Sequence, residues 1–205
     1  MDIHCAGPTE MPETKRHLKL RTLLFEFLSL AFAEVAKVGS EQFVYWDPTD
    51  RRACLAPDAF VRFGSPDEDF ESWNVWEHGA PHVAVEIIGN SDRHVWAAKL
   101  ERYRRMGVSE LVAFDPEFPE QPLRIWDFVG DGLLERKLPE SWAKSLHLCG
   151  YWMPIELPGR GLTLRLSHDD RGEHLFLTPT EAQTRRADIA EQELRELRAL
   201  LLRDS

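Results

Sequence analysis

Glu86 is the residue of this sequence whose type and surroundings most clearly indicate chemistry. It lies in the apolar run 83–87, Val-Ala-Val-Glu-Ile, which is typical of a buried strand. An ionised carboxylate removed from water needs a partner or a metal. Glu86 is therefore either part of a functional site or a residue at a strand end whose head group reaches solvent, and its surroundings alone leave both interpretations open.

Asp58 and Lys99 favour the functional interpretation. Asp58 follows Pro57 at the start of a short apolar run, and proline is tolerated at the first residue of a strand but not within a central one. Lys99 lies in a segment whose apolar residues recur at helical spacing. Two carboxylates on neighbouring strands can bind a divalent ion, and a nearby ammonium can stabilise negative charge or orient a water. Together these residue types suit metal-assisted hydrolysis of a phosphodiester.

Five short motifs spread over the middle of the chain carry a resemblance to a known family. They are Pro57-Asp58, Val85-Glu86-Ile87-Ile88, Lys99-x-x-x-Tyr103, Gly107-Val108-x-Glu110-Leu111 and Asp115-Pro116. As a set they resemble the Uma-type restriction endonucleases, which are bacterial, and especially cyanobacterial, members of the PD-(D/E)xK nuclease superfamily. The resemblance covers roughly residues 13–181.

The resemblance implies a fold, a cofactor and a set of site residues. It implies that Asp58 and Glu86, helped by the main-chain carbonyl of Ile87, bind Mg²⁺, with Mn²⁺ as an alternative. The lysine of the superfamily normally stands two residues after the glutamate, where this chain has Ile88. In the Uma-type branch the lysine lies on the following helix, so the resemblance makes Asp58, Glu86 and Lys99 the catalytic residues.

The loop after the glutamate strand departs from the family pattern. Many members have Ser-Pro-Ser-Thr where this chain has Gly89-Asn90-Ser91-Asp92, and many have an aspartate where this chain has Val95. These differences lie beside the predicted metal site. They motivate an alternative function, in which a catalytically inactive nuclease fold acts as a nucleic-acid-binding or assembly module.

The net charge of −10 counts against a nuclease, because duplex binding normally requires a basic surface. A local concentration of basic residues partly answers this objection, since the predicted helix around Lys99 is rich in arginine. We predict that Arg93 and Arg102 of this helix contact nucleic acid. The alternative is that these arginines only keep one helix face solvated.

The composition indicates one soluble domain. A chain of 205 residues is long enough to bury a core, and no apolar run is long enough to span a bilayer. The N-terminal segment has no apolar centre typical of a secretory signal, and the three cysteines have no metal-ligand spacing, so we expect a cytoplasmic protein that does not act at a membrane. The resemblance implies DNA as its substrate. We predict a flexible N-terminus over 1–12, a nuclease domain over 13–178 and a C-terminal helix over 179–205.

The apolar patterns predict an α/β fold, namely a restriction-endonuclease-like mixed central sheet flanked by helices. A helix is expected at 18–37, ended by Gly39, and Trp73 and Trp76 are expected to pack as a lid over the sheet. A strand–helix–strand crossover is expected around Lys99. The predicted strands are 42–46, 59–63, 83–87, 111–115, 123–129, 133–138 and 162–166.

The last predicted element is a helix with a clear start signal. Thr178-Pro179-Thr180-Glu181 has the pattern of a capping box with proline at the first helical position. The early part of this helix is polar nearly all round, and its apolar residues concentrate toward its end. Two arrangements are open, a short coiled coil in a homodimer and a helix laid back on its own domain.

Overall fold

The computed structural model describes residues 14–64, 71–89 and 92–203. The predicted flexible segment 1–12 lies outside these residues. The helices are α1 (Lys15–Phe32), α2 (Val75–His78), α3 (Asp92–Met106) and α4 (Pro179–Arg203). The strands are β1 (Ala36–Gly39), β2 (Val44–Tyr45), β3 (Cys54–Leu55), β4 (Ala59–Phe63), β5 (Trp73–Asn74), β6 (Val83–Ile87), β7 (Glu110–Phe114), β8 (Leu123–Val129), β9 (Gly132–Glu135), β10 (Ala143–Lys144), β11 (Tyr151–Leu157) and β12 (Gly161–Ser167).

A six-stranded mixed sheet forms the centre of the domain, in the order β1-β4-β6-β7-β8-β9. Only β6 and β7 pair in parallel within this sheet, and α3 joins them as the crossover. All five residues of each of these two strands are buried. The predicted α/β fold with a mixed central sheet is therefore confirmed, as is the crossover around Lys99.

Each face of the sheet is covered by one long helix and one small three-stranded sheet. Alternate residues of β6, such as Val83 and Val85, pack with α1 and with the sheet β10-β11-β12. Ala84 points to the opposite face and packs with α3 and with the sheet β3-β2-β5. The two helices therefore approach β6 from opposite sides, and this arrangement positions the candidate site.

The predicted helix 18–37 is wrong at its C-terminal end. The helix ends at Phe32, and Ala36–Gly39 forms β1, which pairs antiparallel with β4. Helical propensity continues past Phe32, but the main-chain hydrogen bonds of the sheet edge override it. Gly39 does not end the helix. It allows close contact with Phe60, since a Cβ at this position would lie 2.1 Å from the Phe60 ring.

The tryptophan prediction holds for one residue of the two. Trp73 is fully buried in β5 against Phe60, with ring centroids 5.5 Å apart, and its indole N–H donates to the carbonyl of Gly79. Trp76 is 46% exposed on α2, so it is not part of a lid. A four-residue helix can turn only one side toward the core, and Trp76 lies on the other side.

The C-terminal helix begins as the capping box predicts. The Glu181 carboxylate accepts from the main-chain N–H of Thr178, and the Thr178 hydroxyl accepts from that of Glu181. Glu181 also binds the buried guanidinium of Arg165 on β12 at 2.8 Å, which fixes the first turn of α4 to the domain. From Gln183 to Leu201, every residue whose side chain the structure describes is exposed. The helix is therefore not laid back on its own domain beyond its first turn.

Within the described ranges, no helix is both long and apolar enough to cross a membrane.

Candidate active site

The pairing of β4 with β6 places two carboxylates side by side. The antiparallel register sets Ala59 opposite Val85, so the next residues along, Asp58 and Glu86, are opposite each other. Asp58 stands immediately before β4 and Glu86 is the fourth residue of β6. Both side chains are buried, with 6% and 2% of each residue exposed. The sequence prediction that Asp58 lies at the mouth of a strand is therefore confirmed.

The Asp58 carboxylate is held from two elements. Its Oδ2 accepts from the main-chain N–H of Ile87 at 2.7 Å, which fixes Asp58 against the end of β6. Its Oδ1 lies 2.6 Å from Nε2 of His17, in the first turns of α1. These two bonds orient the carboxylate and leave further lone pairs on each oxygen, since a carboxylate has about four acceptor sites.

The Glu86 carboxylate is held by two residues of α3. The Lys99 ammonium donates to Oε2 at 2.6 Å, and the buried hydroxyl of Tyr103 donates to Oε1. Burial raises the pKa of the Glu86 carboxyl to about 7; the Lys99 charge opposes this shift and the Asp58 charge adds to it. Burial and the Glu86 charge also raise the pKa of the Tyr103 phenol well above its usual value, so this hydroxyl remains a donor.

Lys99 is an ammonium held by two acids. Its Nζ lies 2.6 Å from Glu86 and 3.4 Å from Oδ1 of Asp92, at the start of α3. Burial alone would lower the pKa of Lys99, but the neighbouring charges of Glu86 and Asp92 outweigh it and raise the pKa above its usual value. The side chain is 20% exposed, so the charged group sits at the boundary between the buried carboxylates and solvent. Asp58, Glu86 and Lys99 thus converge in the structure.

Three residues in this cluster were not predicted from the sequence. Asp92 and Tyr103 share a helix face with Lys99, seven residues before it and four after it, so helical spacing could have identified them. His17 comes from α1, 41 residues before Asp58. No spacing rule connects it with the other residues, because its position depends on how α1 packs across the sheet.

The two carboxylates fit a small hard cation. Magnesium binds oxygen ligands and commonly takes one or two carboxylates from the protein, the rest of its shell being water and substrate phosphate. Asp58 and Glu86 provide such a pair, and the raised pKa of Glu86 reflects a buried negative charge that a cation would relieve. Among the described residues there is no group of three or more histidine, cysteine, aspartate or glutamate side chains suited to a metal, so the side-chain donors are this pair of carboxylates.

The two arginines predicted to contact nucleic acid are engaged within the protein. Arg93, in the first turn of α3, forms a bidentate pair with Asp115, in which Nε donates to Oδ2 at 3.2 Å and Nη2 donates to Oδ1 at 3.0 Å, and its side chain is 43% exposed. Arg102 donates to the carbonyl of Cys54 and lies 6.0 Å from the ring of Trp46, so it joins α3 to the small sheet. Arg93 is the more accessible of the two for a phosphate.

A cleft of about 410 Å³ opens on the α3 face of the sheet beside this cluster. Ile88, two residues after Glu86, lies on its inner wall, and Arg93, Trp96 and Phe118 lie around it. The residues that line the cleft do not include Asp58, Glu86 or Lys99. Its two arginines each pair with a carboxylate that also lines it, Arg93 with Asp115 and Arg124 with Glu135.

The structure thus brings together a strand-end aspartate, a strand glutamate and a helix lysine in one α/β domain. The sequence model of the Uma2 family, described as "Putative restriction endonuclease", matches residues 8–144. This stretch is more than half of the chain and contains Asp58, Glu86 and Lys99. The chain therefore belongs to this family, which confirms the resemblance found in the sequence and supports a nuclease-like function.

A solved structure, described as "a putative nuclease belonging to DUF820 from Anabaena variabilis", is similar to part of the chain. The sequence identity is 13% and the TM-score is 0.49, and the similarity covers 66% of this chain and 74% of that one. No curated protein matches the chain significantly.

Proposed function

We propose that the chain is a magnesium-dependent endonuclease that hydrolyses phosphodiester bonds in DNA. The observation that carries the proposal is the position of Asp58 opposite Glu86 across two paired strands, with the Lys99 ammonium 2.6 Å from Glu86. Membership of a family described as endonucleases supports the same reaction class.

Asp58 and Glu86 would hold the magnesium ion, with the main-chain carbonyl of Ile87 as a third ligand. When bound, the metal supplies polarisation of the phosphoryl oxygen and a lowered pKa for a bound water. Tyr103 and Lys99 fix the two oxygens of Glu86, and His17 and the Ile87 N–H fix those of Asp58. Ligands fixed in this way require little reorganisation at the moment of reaction.

Lys99 would act on the substrate. Its ammonium lies 2.6 Å from Glu86 and is partly exposed, so it can reach a phosphoryl oxygen or an attacking water. Its raised pKa means that it remains protonated at neutral pH, which suits charge stabilisation and water orientation but not proton abstraction. Arg93, exposed beside the cleft, would contact the sugar–phosphate backbone.

Calorimetry with Mg²⁺ and Mn²⁺ tests the metal site. We expect wild-type protein to bind the ion and Glu86→Gln, which keeps the shape of the side chain but removes its charge, to lose most of that binding. Glu156→Gln is a matched control, because Glu156 is exposed on β11 away from the cluster. Equal binding by all three proteins would contradict the two-carboxylate site.

Cleavage of supercoiled, linear and single-stranded DNA, followed with and without magnesium, tests the reaction. We expect magnesium-dependent products from wild type, and a loss of roughly 100-fold or more in rate for Lys99→Ala, since removal of one stabilising group commonly costs this much. Lys137→Ala is the control for loss of an unrelated lysine. DNA binding that survives Glu86→Gln, with no product from any substrate, would instead establish the inactive nucleic-acid-binding alternative.

A further inference from the structure

The exposed part of α4 carries more apolar surface than a solvated helix needs. After its first turn, the structure shows Ile189, Leu194, Leu200 and Leu201 between 49% and 71% exposed. The last described turns hold most of these residues, and a cluster of exposed leucines on one long helix marks an interaction surface. The helix is 25 residues long, which is enough for about three heptads.

The sequence of α4 contains a heptad repeat whose described side chains are exposed in one copy of the chain. Ala187, Leu194 and Leu201 recur every seven residues and define position a. Ala190 and Leu197 also stand seven residues apart. They follow Ala187 and Leu194 by three residues each and define position d. The seam residues change from alanine to the larger leucine toward the C-terminus. More apolar surface would therefore be buried where the helix is farthest from its own domain.

The charged residues beside this seam are complementary to themselves. Arg186 and Glu193 occupy position g, and Glu191 and Arg198 occupy position e. In a parallel pair of helices, each g residue faces the e residue five positions later on the other helix. Arg186 would then face the partner's Glu191, and Glu193 would face the partner's Arg198. Two-fold symmetry doubles these contacts to four, and all four join opposite charges.

We propose that α4 pairs with the α4 of a second copy of the chain as a parallel two-stranded coiled coil, which makes the protein a homodimer. We infer that the partner helix belongs to a second copy of the chain, because the charges at positions e and g of one α4 are opposite to those they would face on another α4. In an antiparallel pair, e residues face e residues, so Glu191 would face the partner's Arg198 while Glu193 lies beside Leu200 of the partner subunit. That arrangement satisfies fewer charges, so the parallel one is favoured.

The proposal does not rest on the proposed nuclease activity, and its test does not measure activity. Sedimentation equilibrium of the full chain over a series of concentrations should give a dimer for wild type. Glu193→Arg turns two attractive contacts into repulsive ones, and so does Arg198→Glu. Each change should raise the dimer dissociation constant by about tenfold or more. The double variant E193R/R198E restores opposite charges in the parallel pairing and should restore the wild-type constant.

Asp188→Arg is a charge-matched control, because it makes the same change in net charge at position b, away from the seam. It should leave the dissociation constant unchanged. Circular dichroism of each variant should show unchanged helix content, since these positions are exposed on α4 in a single copy. A monomeric wild type, or single variants as dimeric as wild type, would overturn the proposal. A double variant that stays monomeric would overturn the parallel arrangement, since in the antiparallel one it places Glu191 against a glutamate.

Discussion

Glu86 and Glu110 are buried carboxylates on adjacent parallel strands, but their surroundings give them different roles. Glu110, at the start of β7, accepts from Arg136, the Ser145 hydroxyl, the Leu146 N–H and the Trp152 indole N–H. These donors come from the C-terminal part of the domain and tie it to the central sheet. Glu86 has two partners, one of which is a partly exposed lysine. Glu110 is therefore a structural carboxylate, whereas one of the partners of Glu86 reaches the boundary with solvent.

Replacement of Glu110 by alanine should destabilise the domain by about 3–5 kcal/mol, the usual cost of removing one partner from a buried charged network. The Ser145 hydroxyl and the Trp152 N–H would lose their acceptor, and Arg136 would keep only Asp127 and the Lys144 carbonyl. Urea unfolding measures the change, with Glu117→Ala in an exposed loop as the control. A loss below about 1 kcal/mol would contradict the structural role, since exposed sites change stability by no more than this.

Tyr103→Phe tests whether the α3 hydroxyl orients Glu86. The phenyl ring keeps the packing of a fully buried side chain, and only the hydrogen bond to Glu86 is lost. We expect magnesium affinity to fall about 10- to 100-fold, as is usual when the residue orienting a metal ligand is removed. Calorimetry measures the affinity, with Tyr151→Phe on β11 as the control. An unchanged affinity with unchanged stability would mean that Tyr103 only fills space.

Sequence reasoning reached those residues of the cluster whose position follows from local rules. The proline before Asp58 indicates the start of a strand, and the apolar run around Glu86 indicates a buried strand. Helical spacing then places Lys99 on the helix that follows this strand. His17 could not be reached in this way, because only the packing of α1 across the sheet brings it to Asp58. Nor could the sequence show the role of Glu110, which the predicted strand 111–115 leaves out and whose donors lie 26 to 42 residues later in the chain.

At the scale of elements, Arg62 and His82 determine how the chain enters β6. Arg62 donates to the carbonyls of His78 and Ala80, at 3.1 Å each, and so fixes the segment before the strand. The ring of His82 accepts at Nδ1 from the main-chain N–H of Phe63 at 3.1 Å. Burial lowers the pKa of His82, and the charges of Arg62 and His147 lower it further. His82 is therefore neutral in the folded protein at neutral pH.

This shift makes stability depend on pH in a defined direction. The unfolded chain takes up a proton at His82 as the pH falls through about 6.5, whereas the folded chain takes it up only at lower pH. The contribution of His82 is thus fully present above pH 6.5 and is lost on acidification. His82→Asn, which can still accept from Phe63, should flatten the loss of urea stability below about pH 6.5. His94→Asn, in an exposed position, should leave the slope as in wild type, and equal slopes for both variants would contradict this account.

Two strands of the central sheet were predicted with their observed bounds, whereas the edge strand β1 was not predicted. The strands at 59–63 and 83–87 have the predicted bounds. The predicted helix 18–37 included the first two residues of β1, but the partner strand of β1 lies more than 20 residues later in the chain. Edge strands of this length are specified by their partners more than by their own residues.

At the scale of the molecule, the main question is how a chain with a net charge of −10 would bind a polyanion. Arg93 is bound bidentately by Asp115 and Arg104 by Glu101, so both of these α3 arginines are neutralised within the protein. A phosphate must therefore compete with a carboxylate for each guanidinium. We expect weak DNA binding that falls steeply with salt, because few phosphates are neutralised and long-range repulsion opposes the approach.

Arg93→Ala should weaken DNA binding and make the slope of log affinity against log salt shallower by about one, as expected for the loss of one phosphate contact. Arg104→Ala removes the same charge from the other end of α3 and should change affinity less. Fluorescence anisotropy with a labelled oligonucleotide at several salt concentrations measures both effects. Equal effects from the two variants would mean that only net charge matters and that Arg93 makes no local contact.

The Lys99–Glu86 pair has a consequence for how the protein matures. The Lys99 ammonium already balances the charge of the buried Glu86 carboxylate, so the chain itself provides the positive charge that a metal would otherwise provide. Folding of this domain need not wait for an ion from the medium, unlike that of small proteins whose only counter-charge is a metal. On the proposed function, a newly made chain would therefore reach its folded structure without the ion, and the ion and the substrate would bind only to the folded protein.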